Sequence, residues 1–443
     1  MNQYDVIVIG GGPAGSTCAL LLARQGFKVC LLEKARHPRF HIGESILPRT
    51  MPMLQELGLA DAVAKLPQVP KLGAEFGFGN DFHTMQFSFI DGPLLPSFPV
   101  FNIERSVFDK LLIDEARGAG ATVFEETAVK KILKLEEGAV EVVTTDDRTF
   151  SGRMLMDASG HGTVVARHFG TRKNFDDPEL QKVAYFQHFD NVERLPGEAE
   201  GHPSIFMADE GWFWMIRLNE RVTSVGFVTR PSFVRQIDVA PNRLLQWAIA
   251  RCPVVRHRMR DASGPAENHV LADFSYRCDP IAGPGFFMVG DAAAFLDPIF
   301  STGVTLALVG ANEASKHATK ILRGEIDPAR SRDEYTRFVT GSTAVFWRLI
   351  RKYYRHSFRE LFMNGQGPVK VHKAIISVLA GQVFPRPVWA LRWRMRLFEF
   401  CVWAQQYVSL VPRWPRFRLV DEEPKELPRE RFPASVSEMS RAT

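Results

Sequence analysis

"YDVIVIGGGPAGSTCALLLARQGFKVCLLEK", Tyr4 to Lys34, decides how the rest of the chain is read. Tyr4 to Gly10 is a continuous apolar run, the pattern of a strand buried on both faces. "AGSTCALLLARQG" follows with helical periodicity, and "KVCLLEK" is a second run of strand length. Strand, helix and strand in that order imply a parallel sheet. Between the first strand and the helix, Gly10, Gly12 and Gly15 are spaced as GxGxxG, with Pro13 and Ala14 inside the motif. Glycines there permit a tight turn and let backbone approach a pyrophosphate, whose charge the helix N-terminus favours. Glu33 ends the second strand, where a carboxylate can accept hydrogen bonds from ribose hydroxyls, and Lys34 stands beside it. A lone GxGxxG is a weak signal. Here the strand, helix, second strand and acid fall in order, and the stretch predicts a dinucleotide site.

The bulk composition narrows the rest. At 443 residues the chain suggests two or three domains. Its 45% hydrophobic and 24% charged residues are ordinary for a globular protein, and a net charge of +5 gives no argument for nucleic acid. Five scattered cysteines with no CxxC pair argue against a disulfide framework or structural zinc and favour a reducing compartment. The N-terminus runs straight into the first motif and no apolar run is long enough to span a bilayer, so a soluble cytoplasmic protein is expected.

The predicted fold class is α/β. A Rossmann-like nucleotide-binding domain is expected in three pieces, 1–75, 101–172 and 269–330. A β-rich, substrate-side domain is expected over 76–100 and 173–268, where short alternating runs suit one wall of a pocket. Residues 331–423 read as a helical, aromatic and basic region, and 424–443 as a polar, disordered tail. In "GWFWMIRLNE", Trp212 and Trp214 share one face of a strand with Ile216, and Arg217 follows. Taken alone, the paired indoles are a strand face packed on the core.

Two further stretches point to the nucleotide. "NIERSVFDKLLIDEARGAGATV" resembles the segment of the FAD-dependent aromatic hydroxylase superfamily whose arginine, here Arg105, reaches the flavin dinucleotide. "MVGDAAAFLDP" is similar to that superfamily's GD motif, whose aspartate, here Asp291, contacts the ribityl chain. The resemblance implies FAD.

Within the superfamily, "HIGESILPRTMPMLQELGL", "PKLGAEFGF", "GWFWMIRL" and "DPIFSTGV" together resemble the flavin-dependent halogenases, above all the compact ones acting on pyrrolyl or other aromatic acyl groups held on carrier proteins. The resemblance implies that reduced FAD, dioxygen and halide (chloride or bromide) make hypohalous acid, which a lysine directs onto an electron-rich aromatic ring. Lys71 matches that lysine, and an ammonium in a desolvated channel can act as hydrogen-bond donor or, with a depressed pKa, as an amine. The bland alternative is a solvated surface lysine. Ser301, Thr302 and Gly303 match the segment whose amides hold halide beside the flavin; an N-cap by Ser301 or Thr302 is compatible with that. Ser45 and Gly303 join the expected cofactor contacts. Trp212, Trp214 and Ile216 match the family's WxWxIP wall between substrate and flavin, but Arg217 replaces its proline. That arginine must reach solvent, an acid or an anionic ligand such as a carrier arm. Free-tryptophan halogenases carry a glutamate where this chain has Phe300, which disfavours free tryptophan as substrate.

No second dinucleotide fingerprint is present, so a separate flavin reductase is expected to supply FADH2. Between Arg348 and Arg418, cations interleave with aromatics and the only acids are Glu360 and Glu399. Such a stretch suits a docking face for an acyl or peptidyl carrier protein, or arginines snorkelling round a packed helix; membrane contact is not expected. Two other readings stay open: a flavin monooxygenase that does not halogenate, and an inactive flavin-binding assembly partner.

Overall fold

The computed structural model describes residues 2–90, 94, 98–265, 267–272, 275–364, 371–383 and 387–425. The tail expected over 424–443 therefore lies almost wholly outside the described residues, as do six positions of the 76–100 segment.

Val6–Ile9 and Val29–Leu32 are strands with every residue buried, as continuous apolar runs require. They pair in parallel, and Met154–Asp157 and Thr122–Phe124 extend the sheet on either side. Phe286–Met288 adds a further parallel strand, and Ala282–Gly283 closes the edge antiparallel, giving six strands. The helices Pro13–Arg24, Arg105–Gly118 and Gly303–Leu322 pack together beside the sheet. Pro13 sits at the first turn of its helix, where its missing N–H costs no hydrogen bond.

A second sheet has seven strands. In spatial order these are His269–Leu271, Val183–Asp190, Val222–Thr229, Gly211–Arg217, Ser204–Met207, Gly73–Phe78 and Met85–Ser88. Ser204–Met207 and Gly73–Phe78 are parallel and the rest antiparallel. Alternation along Gly211–Arg217 splits its side chains between two cores. Trp212, Trp214 and Ile216 join the main core, while Phe213 and Met215 pack with Leu244, Leu245, Phe417 and Leu419 on the other face. The helical region starts at Pro328–Tyr353 and continues through His356–Met363, Val371–Leu379 and Trp389–Ala404. Among the described residues no helix is long and apolar enough to cross a membrane, and all five cysteines are free.

Candidate functional site

One cavity of about 820 Å³ lies between the two sheets. Its dinucleotide end is built from backbone. Gly10 has φ +99°, and a Cβ there would stand 2.4 Å from the Ala158 carbonyl oxygen; one on Gly15 would stand 1.8 Å from the Gly10 oxygen. These two glycines are required by the turn itself. Gly12 is different: a Cβ on it would meet only the Arg39 guanidinium at 3.6 Å, so its open side faces the cavity. Pro13, Ala14, Glu33 and Lys34 also line the cavity, whereas Gly15 is packed behind it. Glu33 accepts hydrogen bonds from the amides of Gly11 (2.5 Å) and Ala35 (2.8 Å), which aims its carboxylate without exhausting its lone pairs.

Arg105 is buried and clamped. Its Nε and Nη2 donate to Asp109 at 2.7 and 2.9 Å, and Nη1 donates to the Ile42 carbonyl at 2.9 Å. Gly43, at φ +97°, makes room, since a Cβ there would lie 3.0 Å from Arg105 Nη1. Asp291 lies across the same cavity; burial pushes its carboxyl up to about 6, against the pull of Arg105. Two buried polar atoms lining this end, Ser45 Oγ and Arg39 Nη1, have no protein partner. Unsatisfied donors of this kind fit a polar ligand. With the open flank of Gly12, they make the cavity a fit for FAD.

The other end is built from side chains distant in sequence. Trp212, Trp214 and Ile216 line it, the two indoles 6.0 Å apart between centroids. Trp214 Nε1 donates to Ser224 Oγ at 3.1 Å. Trp212 Nε1 donates to the Tyr354 hydroxyl at 3.1 Å, which donates to Asp297 Oδ2 at 2.7 Å. The other oxygen of Asp297 accepts the Ile299 amide at 2.9 Å. Lys182 Nζ sits 3.7 Å over the Tyr354 ring, and burial lowers its pKa to about 8, opposed by Asp297 and Glu179. A single chain of hydrogen bonds thus ties the indole wall to the 297–303 loop. Sequence reasoning missed Tyr354, Lys182 and Asp297; the only signal was Asp297 inside "DPIFSTGV".

Ser301, Thr302 and Gly303 reach the cavity from that loop. Ser301 is in the left-handed region, φ 54°, an uncommon place for a residue with a side chain. The helix Gly303–Leu322 starts without a side-chain cap, so the alternative of an N-cap by Ser301 or Thr302 does not form and first-turn amides stay available. Phe300 is buried edge-on to Tyr353 at 5.8 Å.

Lys71 does not line the cavity. It is 2% exposed, its Nζ donating to the Ile46 carbonyl at 2.9 Å and lying 5.1 Å from the Phe89 ring centroid. Burial alone lowers its pKa to about 7. The solvated-lysine alternative is therefore set aside by its place in the fold. Arg217 pairs with Glu200 and donates from Nε to the Asn219 carbonyl at 3.0 Å. Its anion is thus an acid of this chain, and a carrier arm is not needed to satisfy it. A further pair, His188 and Glu44, ties the second sheet to the loop before Ser45 through a 2.6 Å hydrogen bond at the buried Glu44 carboxylate.

Residues 3–339 match the FAD binding domain family. The chain is 30% identical over 419 residues to a 1H-pyrrole-2-carbonyl-[peptidyl-carrier protein] chlorinase of Pseudomonas fluorescens, covering 86% of this chain and 90% of that one. The chain belongs to the flavin-dependent halogenases. Among solved structures, the halogenase fold here superposes on the flavin-dependent brominase Bmp2 with a TM-score of 0.80 and 26% identity, over 91% of this chain and 100% of that one. It also superposes on a flavoprotein/dehydrogenase of Cytophaga hutchinsonii with a TM-score of 0.81 and 29% identity, over 91% and 99%. The halogenase uses FAD as cofactor and halide as co-substrate.

Proposed function

We propose that this halogenase acts on an electron-rich aromatic acyl group tethered to a carrier protein, with Lys71 directing the electrophile. The observation that carries the reading is the place of Lys71: it is buried outside the cofactor cavity, and its hydrogen-bond partner is the carbonyl of Ile46, the residue next to the cavity-lining Ser45. Bound FADH2 would supply, with dioxygen, the oxidising power that turns halide into hypohalous acid. Gly10, Gly12, Pro13, Ala14, Glu33 and Lys34 would hold the dinucleotide, with Gly15 keeping the turn close behind them, and Ser45, Arg105, Asp291 and Gly303 would hold its remainder. The uncapped amides after Ser301 and Thr302 suit a halide at the helix start. Trp212, Trp214 and Ile216 would keep the aromatic substrate away from the cofactor. Lys71, desolvated, can donate a hydrogen bond as an ammonium or bind the electrophile as an amine.

Phe300, buried where free-tryptophan members carry a glutamate, supports an acyl substrate over tryptophan. So does the similarity to two enzymes named for pyrrole-2-carbonyl carrier proteins, a chlorinase and a brominase. The absence of a second dinucleotide fingerprint supports a separate reductase as the source of FADH2. Five unpaired cysteines support a reducing, cytoplasmic setting.

Mass spectrometry of pyrrole-2-carboxylate, free and carrier-bound, incubated with the enzyme, a flavin reductase, NADH, FAD and chloride or bromide tests this. Halogen should appear on the tethered acyl group and not on the free acid. Halide-independent hydroxylation would overturn the reading in favour of a monooxygenase. No turnover with flavin bound would favour an assembly partner.

A further inference from the structure

The solvent side of a surface helix is ordinarily polar. Trp389–Ala404 is not. At about 100° per residue, Leu391, Met395, Phe398 and Val402 share one arc and are buried. The opposite arc, about 100° wide, carries Trp389, Arg392, Trp393, Arg396, Phe400 and Trp403. Trp389, Phe400 and Trp403 are 77%, 59% and 52% exposed, and Tyr407, just past the helix end, is 70% exposed. These rings touch one another: Phe400 and Trp403 lie 5.7 Å apart, Trp403 and Tyr407 5.3 Å. Arg392 and Arg396 are exposed among them. The one acid of the helix, Glu399, is half-buried and points to Arg348 at 3.9 Å, so among the described residues the outward arc is positive and uncompensated.

We propose that this face seats the protein on an anionic lipid surface, with the helix lying flat among the headgroups. Tryptophan and tyrosine are favoured at the boundary of water and hydrocarbon, where the ring is buried and its N–H or O–H stays wet. Arginines at the same level meet lipid phosphate with paired donors. The 16-residue helix is about 24 Å long, and a straight row of rings of that length suits a plane. The cofactor cavity is lined by residues up to Ala307, so this helix does not border it. Membrane contact was not expected from the sequence because mixed cations and aromatics read equally well as arginines around a packed helix. The fold decides which side faces out. The inference is independent of the halogenation reading.

The test is sedimentation of the FAD-loaded protein with vesicles of phosphatidylcholine alone or containing about one quarter phosphatidylglycerol. The protein should pellet with the anionic vesicles only, and leave them at about 1 M salt, where screening shortens to ~3 Å. Arg392→Gln with Arg396→Gln should weaken partitioning roughly 25-fold, at about fivefold per arginine. Phe400→Ser with Trp403→Ser should weaken it at least about tenfold, with flavin content unchanged as the control for folding. Failure of the wild type to pellet, equal binding to neutral vesicles, or flavin-loaded variants that pellet like wild type would each overturn the proposal. So would a dimer in light scattering that Trp403→Ser dissolves, because the face would then belong to a second copy of the chain.

Discussion

The two ends of the cavity are made by different means. The dinucleotide end is mostly backbone, drawn from a contiguous stretch in which Gly10 to Glu33 fold over one turn and one sheet edge. The other end is side chains, with Trp212 and Asp297 on its wall and Tyr354 and Lys182 behind them, brought together by the second sheet, the 297–303 loop and the end of a long helix. A site made of backbone depends on residues that have no side chain. A site made of distant side chains depends on buried polar partners, each of which costs free energy if its partner is removed. Substitutions at the two ends should therefore fail differently.

The largest effect is expected at the backbone end. Gly12→Val places a branched side chain in the open flank that faces Arg39, and flavin retention should fall to background while the fold persists. Absorbance of the purified protein near the flavin bands, with circular dichroism as control, checks it. Wild-type flavin content would break the comparison.

Next comes the hydrogen-bond chain. Tyr354→Phe keeps the ring under Lys182 but leaves the Trp212 N–H and an Asp297 oxygen without their partner. Product formation should fall about tenfold, in line with ~1–3 kcal/mol for an unsatisfied buried group. Flavin affinity should stay within about twofold, which a general loss of structure would not allow. A parallel loss of both would remove the distinction between the two ends.

A third effect concerns the stability cost of Lys71. Its folded pKa is lowered to about 7 by burial, from the model-peptide value of 10.5, so between those limits the unfolded chain holds more protons and stability rises with pH. Below about pH 7 both states are protonated and the buried ammonium costs the most. Lys71→Met should raise Tm by at least about 2 °C at pH 6, and the gain should shrink as pH rises toward 10. Differential scanning calorimetry at several pH values measures this; a pH-independent change would show that Lys71 is not desolvated.

The smallest effect is expected at Arg217. Its partner Glu200 is half exposed, so Arg217→Ala should cost no more than ~1 kcal/mol of stability. It should lower the yield on the tethered substrate no more than halogenation of a small β-diketone that traps free hypohalous acid, as compared by mass spectrometry. A selective loss on the tethered substrate would restore Arg217 as a reader of the carrier arm.

How far the molecule was legible from its sequence follows the same division. Gly10, Gly12 and Glu33 could be read because their roles depend on local spacing. The alternation that turns Trp212, Trp214 and Ile216 toward the cavity was legible too, being a property of one strand. Tyr354 and Lys182 were not, because each acquires its meaning from a partner over a hundred residues away. Arg217 was legible only as a need for an anion; the choice of Glu200 came from the fold. The exposed row on Trp389–Ala404 was invisible for a third reason: composition does not say which side of a helix is covered.

In the proposed function, Lys71 directs an electrophile generated elsewhere in the molecule. Its most direct test compares Lys71→Ala with wild type, using flavin reductase, NADH, FAD and halide, and scoring two products at once. One is the halogenated carrier-bound acyl group; the other is a small β-diketone in solution that traps free hypohalous acid. The account predicts that the variant retains flavin and halogenates the trap, while product on the carrier falls by at least about a hundredfold. Undiminished halogenation of the carrier-bound group by Lys71→Ala would contradict it.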